Sequence, residues 1–233
     1  MYTLYPANER WWSDHGWLKS NFSFSFADYY NPKIMWFWTL RVINNDIVQA
    51  GRGFWEHPHD NMEIITLALS WSLTHRDSMG NEETLIPGEV QSMSAWTWVV
   101  HSEMNEWNED WEFFQIWIET KNRNIAPQYS QKKFSEDWRK NTFQLLAWPT
   151  EWENVLINQN SHISRIVLEK WTSQKYKKYN EDNGLYIMSI YWDCMIAWES
   201  LWQRDAIWIT QEDSILFESL YWSDILIIEV PMK

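Results

Sequence analysis

A single cysteine, Cys194, serves the whole 233-residue chain, so no internal disulfide can form and a reducing compartment is the expected setting. Apolar runs long enough to span a bilayer are missing, and the opening MYTLYPANER has no signal-peptide pattern. A cytoplasmic location is the resulting expectation. Positive charge is also scarce: 19 Lys and Arg stand against 32 Asp and Glu, a formal net charge of −13. That balance argues against nucleic acid or an anionic membrane as a direct electrostatic partner. Glycine is the oddest shortage. Six glycines stand beside 21 tryptophans, and tryptophans fall where polar turns are expected, as at Trp107 in NEWNED and Trp138 in EDWRK. Such places usually need a residue that takes positive φ cheaply.

What is present describes a folded globular chain, 45% hydrophobic and 22% charged, long enough for one large or two small domains. Short β-branched or aromatic runs recur between polar turns: FSFSFADYY at 22–30, FWTLRVI at 37–43, MEIITLALSWSLTHRDS at 62–78, VQSMSAW at 90–96 and EFFQIWIE at 112–119. DSMGN at 77–81 predicts a hairpin turn with Gly80 at positive φ. The polar, proline-bearing stretch 120–134 reads as a linker, dividing the chain into domains over 1–130 and 131–233. In the second domain KYKKYNED at 175–182 reads as a solvated loop, His162 as a structural histidine and Cys194 as part of a strand core rather than a nucleophile. Many short strands with no convincing amphipathic helix predict an all-β protein of barrels or sandwiches.

The chemistry concentrates in HPHDNME at 57–63 and HSE at 101–103. His57 and His59 alternate in strand register, so both imidazoles can point to one face of a sheet. A neighbouring strand with His101 and Glu103 in the same spacing would complete a three-nitrogen, one-oxygen set for a divalent metal, leaving octahedral positions open for water, dioxygen or substrate. Six histidines are scattered over the chain, and one His-x-His arises easily by chance. A second pair, His-x-Glu, shifts the balance toward a metal site over two surface strands that happen to carry histidines. Pro58 places the first pair at a strand edge or start, where an open site is useful.

The stretch from Gly51 to Glu63 resembles the first cupin motif, and PGEVQSMSAWTWVVHSEMN at 87–105 the second; the HPH and HSE wording is that of the pirin family. NERWWSDHGWLKSNFSFSFADYYNP at 8–32, LRVINND at 40–46 and IAPQYSQKKF at 125–134 extend the likeness, which is dense over about the first 135 residues and weaker beyond. The resemblance implies a bicupin of two antiparallel β-barrel, jelly-roll domains, only the N-terminal one binding metal. It implies His57, His59, His101 and Glu103 as ligands, usually of iron, with Fe(II) expected here and other divalent transition metals also compatible with this donor set. Glu63 is expected to support the site rather than bind metal. The implied activity is that of a non-haem Fe(II) dioxygenase acting on an aromatic enol of the flavonol type, such as quercetin, with dioxygen as co-substrate and Glu103 also as catalytic base. The alternative is a non-enzymatic, iron-dependent, redox- or metal-responsive regulator that binds another protein.

The same likeness addresses the tryptophans. At Trp38, Trp55, Trp71, Trp96 and Trp98 the family pattern has glycine, whereas Trp17 and Trp117 match family tryptophans. We read most tryptophans of this chain as glycines in the living protein, encoded by UGA in an organism that translates UGA as glycine. TGG codons at Trp55, Trp96 and Trp98 would overturn that reading.

Overall fold

A computed structural model describes residues 1–95, 98–124, 126–150 and 153–233, and strand and turn dominate it. The chain divides into two units, one built from Trp11–Phe134 and Pro149–Gln159, the other from Met1–Arg10, Ser135–Trp148 and Asn160–Lys233. Among the described residues no helix is long and apolar enough to cross a membrane.

The first unit carries the histidine motifs. Its larger sheet runs in the order Gln128–Lys133, Glu89–Ala95, Met62–Ser70, Trp111–Glu119, Leu40–Val48, Leu18–Phe22, Trp11–Asp14. Its smaller sheet runs Gly53–His59, Val99–Met104, Leu73–Asp77, Glu82–Leu85. Val48, Ala68, Leu73, Leu85, Trp111 and Phe113 form one buried cluster, with residues from both sheets. Two antiparallel sheets closing on a shared interior are the jelly-roll solution to burying an apolar face while limiting free strand edges.

The second unit repeats the design with an aliphatic interior. Tyr2–Tyr5, Ala206–Ile209, Asn183–Tyr191, Ser223–Pro231, His162–Leu168 and Gln144–Trp148 follow one another across its larger sheet. Thr172–Lys177, Ser214–Ser219, Cys194–Ile196 and Glu199–Leu201 make the smaller one. Its core gathers Ile166, Leu185, Ile187, Ile207, Ile225 and Ile227, all buried. Cys194 belongs to that core, and burial pushes its thiol up to about 12, which keeps it protonated and unreactive.

Several local readings shift. The 62–78 run is two strands, Met62–Ser70 and Leu73–Asp77, broken at Trp71. Only Phe22 of FSFSFADYY closes a strand; the rest turns, with a bridge between Phe26 and Tyr29. The 120–134 stretch read as a linker contains a strand, Gln128–Lys133, paired with Glu89–Ala95 at a sheet edge. Its polarity is that of a half-exposed edge strand. KYKKYNED is not simply a solvated loop: Thr172–Lys177 is a strand, and buried Lys178 donates from Nζ to the carbonyls of Glu181 (2.6 Å) and Asn183 (2.9 Å). Gly80 does sit in the hairpin turn at φ +92°.

Tryptophans occupy the left-handed region at Trp38, Trp71, Trp171 and Trp192, with φ of 56°, 54°, 61° and 63°. All four indoles are exposed. A bulky residue with positive φ is an outlier costing about 1–2 kcal/mol, and no burial offsets it here. Trp38 and Trp71 thus stand where glycine is needed for backbone reasons. Trp55 is different: it lies in the extended strand Gly53–His59, fully outside any turn, with its indole 78% exposed. Trp98 is also exposed, and Trp96 lies outside the described residues. By contrast Trp17 and Trp117 pack, the first edge-on to Phe54 and the second against Phe26.

Candidate metal centre

His57 and His59 come from the edge strand of the smaller sheet, where Pro58, lacking an N–H, is tolerated. The adjacent strand Val99–Met104 sets His101 opposite His57; the register then slips, so that Glu103 stands opposite Phe54 and Met104 opposite Gly53. A Cβ on Gly53 would lie 2.2 Å from the Glu103 carbonyl oxygen, so glycine permits this close approach of the two ligand-bearing strands. The ring centroids of His57 and His101 are 4.4 Å apart, those of His59 and His101 4.9 Å, and those of His57 and His59 4.8 Å. Each of the three offers a nitrogen within 4.8 Å of the others.

Glu103 joins a second such group, with His101 and His75. His75 escaped the sequence reading, because THRD carries no metal-motif wording. Its signal was the pairing of the strand Leu73–Asp77 with Val99–Met104, which sets His75 opposite Glu103. His75 is fully buried; its Nε2 lies 3.2 Å from Asp77 Oδ2, and its Nδ1 accepts from Gln91 Nε2 at 2.9 Å. The same Nδ1 is 3.4 Å from His101 Nδ1. With His75 Nε2 donating to Asp77, the one lone pair of His75 Nδ1 is shared between Gln91 Nε2 and, at longer range, His101 Nδ1; His101 is then the donor, which leaves its Nε2 as a lone pair. His57 is oriented in like manner, its Nδ1 donating to the Trp55 carbonyl at 2.8 Å.

Glu103 Oε2 accepts from Gln115 Nε2 at 3.2 Å, and Gln115 Oε1 accepts from Thr66 Oγ1 at 3.1 Å. The other oxygen, Oε1, is buried with no partner, and so is His101 Nε2. Glu63 is differently placed: its carboxylate accepts from Ser94 Oγ and from the Asn158 N–H, and it belongs to neither ligand group.

Burial, then the nearby His57, lowers His59 to about 4; burial, then His57, His59 and His75, lowers His101 to about 2. Both rings are therefore neutral at pH 7, as a nitrogen ligand must be. Burial, reinforced by Asp46, lifts Glu103 to about 7 against the opposing bond from Gln115. A carboxylate this costly to ionise alone, beside neutral imidazoles and with two orphaned donor atoms, suits a divalent cation that would satisfy both. The donor set is nitrogen and oxygen, compatible with iron, nickel and their neighbours. A cavity of about 290 Å³ reaches His57, His59 and Glu103 and is walled by Phe22, Phe26, Phe54 and Trp117.

Two jelly-roll units, one with a histidine and glutamate cluster at its interior and one with an aliphatic core, define a bicupin. Residues 6–118 match the Pirin family model, and residues 145–230 match the Quercetinase C-terminal cupin domain. Quercetin 2,3-dioxygenase of Escherichia coli strain K12 is 36% identical over 233 residues, covering 99% of both chains. The crystal structure of the bacterial pirin YhhW in complex with nickel(II), from Escherichia coli, superposes with a TM-score of 0.93 at 35% identity, covering 99% of each chain. A pirin-like protein of Caulobacter vibrioides is 44% identical over 135 residues, 58% of each chain. The chain belongs to the pirin family, and the all-β bicupin fold expected from its sequence is the one it adopts.

Proposed function

We propose that this protein is a metal-dependent dioxygenase that opens an aromatic enol of the flavonol type with dioxygen, holding Fe(II) through His57, His59, His101 and Glu103. The observation that carries the reading is the pair of unpartnered buried atoms, His101 Nε2 and Glu103 Oε1, beside an aromatic-walled cavity that Glu103, His57 and His59 line. The name of the Escherichia coli relative supports the reaction class, and the nickel(II) bound by YhhW supports a divalent metal. When bound, the metal supplies a Lewis-acidic point that lowers the pKa of an enol hydroxyl and gathers the two reactants.

The chain's own residues do the rest. Glu103 Oε1 would serve in two roles in turn, as a ligand in the resting site and, once it gives up that role to the substrate, as the base that takes the hydroxyl proton; Gln115, itself held by Thr66, fixes Oε2 throughout. Phe22, Phe26, Phe54 and Trp117 hold a flat ring system and exclude water from the reacting face. The Asp77, His75, His101 run and the Trp55 carbonyl keep two imidazoles in fixed orientation.

Dioxygen uptake by the Fe(II)-loaded protein with quercetin tests the reading, with His57→Ala as control. Uptake matching flavonol loss, and absent from the control, is the expected result. Full iron occupancy without uptake would overturn it in favour of a metal-responsive protein-binding role. Glu103→Gln is expected to retain metal and lose turnover; undiminished turnover would remove Glu103 as the base.

A further inference from the structure

The cavity wall opposite the histidines carries a second set of open polar atoms. Asn44 and Asp46 sit two apart on Leu40–Val48 and so share a face of the larger sheet. Asp46 stands opposite Ser20, which stands opposite Ser13; Asn44 stands opposite Gln115. All of them line the same cavity. Gln115 is engaged at both ends of its amide, with Thr66 on the oxygen and Glu103 on the nitrogen. Asn44 Oδ1, Asp46 Oδ1 and Ser13 Oγ are buried and have no partner, although Asn44 and Asp46 are only 3% and 5% exposed. The indole N–H of Trp117, in the same lining, is likewise unpartnered.

Buried acceptors are nearly always satisfied in folded proteins, and an orphan is destabilising. Two on one strand face, beside a glutamine that shows how such a row is satisfied internally, point to a partner that arrives from outside. The surrounding phenylalanines require that partner to be flat and apolar between its polar groups. Its polar groups must include a hydrogen-bond donor, since Asn44 Oδ1 can only accept; Asp46, lifted by burial to about 7 against a bond from Ser20, can accept as carboxylate or donate as acid.

We propose that Asn44 and Asp46 form a hydroxyl-reading subsite, which hydrogen-bonds phenolic hydroxyls of an aromatic substrate other than the enol held at the histidine cluster. The inference rests on the dioxygenase reading for the enol and adds a specificity determinant for the other hydroxyls. Ser13 and the Trp117 N–H complete the ring of contacts, each able to meet a hydroxyl oxygen.

Equilibrium titration under nitrogen of the nickel(II)-loaded protein, with quercetin and with 3-hydroxyflavone, tests it. The second compound keeps the enol and ketone but lacks the other hydroxyls. The expected result is about tenfold or greater preference for quercetin, collapsing toward equality in Asn44→Leu and in Asp46→Ala. Asn44→Leu is close to isosteric and removes an unpartnered oxygen, so its ligand-free Tm is expected to hold or rise. Equal binding of the two flavonols by the unaltered protein, or a preference that survives both substitutions, overturns the subsite and leaves the dioxygenase reading standing. Failure of both flavonols to bind the unaltered protein overturns both readings.

Discussion

Glu103 and Glu229 are buried carboxylates in units of the same two-sheet design, and they are treated in opposite ways. Glu229 accepts from the Tyr176 hydroxyl (3.1 Å), the N–H groups of Tyr179 (3.0 Å) and Asn180 (2.9 Å), and Asn183 Nδ2 (3.0 Å). Four donors from one strand end and its loop saturate it, and it serves structure. Glu103 has a glutamine on one oxygen and nothing on the other. The histidines divide likewise: His162 lies alone, stacked on Tyr179 at 4.1 Å, whereas His57, His59, His75 and His101 crowd one interior. Of these two buried carboxylates, one is completed by the fold and the other keeps an open oxygen beside a cluster of imidazoles.

The sharpest way to break the difference is at Gly53. Gly53→Ala would drive a Cβ into the Glu103 carbonyl and the Met104 Cα, which are backbone atoms that cannot turn aside. We expect a loss of about 1–3 kcal/mol in urea unfolding, with metal affinity falling as the strands part. An unchanged midpoint would show that the ligand strands do not depend on this approach. Next in size is His75→Leu, which removes the acceptor that orients His101; metal affinity is expected to fall about 10–100-fold, with partial rescue by His75→Gln. Equal affinity in both variants would make His75 mere packing.

Glycine at Trp38, Trp71, Trp171 and Trp192 is expected to raise stability by about 1–2 kcal/mol per site in either unit, whereas Trp55→Gly, in extended backbone, should bring no gain. A gain at Trp55 equal to that at Trp171 would show that indole exposure, not backbone strain, sets the effect. The last prediction concerns pH in the second unit. Burial depresses His162 to about 4 from its usual 6.5, so the unfolded chain takes up the proton first. The stability this neutral ring confers is complete above pH 6.5 and is lost as pH falls toward 4. His162→Phe keeps the stack on Tyr179 and should flatten the fall in Tm between pH 7 and 4.5; a parallel fall would assign the acid sensitivity elsewhere.

Much of this was legible in the residues. The alternating runs and the Asp77–Asn81 turn announce antiparallel strands, and the HPH and HSE spacing puts ligand pairs in matching strand register, which the pairing of those two strands then brings together. His75 was not legible, because its part depends on a strand pairing that no local pattern records. The open row at Asn44 and Asp46 was hidden for the same reason: orphaned oxygens exist only once neighbours are in place. Lys178 shows the reverse error, a residue in a charged run that the fold buries by supplying two carbonyls. The tryptophans were legible as an anomaly, and backbone geometry separates those that need glycine's freedom from Trp55, which does not.

Metal content after equilibrium dialysis against Fe(II) or nickel(II) tests the central claim most directly, comparing the unaltered chain with His101→Ala. The account predicts one tightly held ion per chain, lost in the variant while the second unit stays folded. No ion in the unaltered chain, or an ion retained without His101, would contradict it.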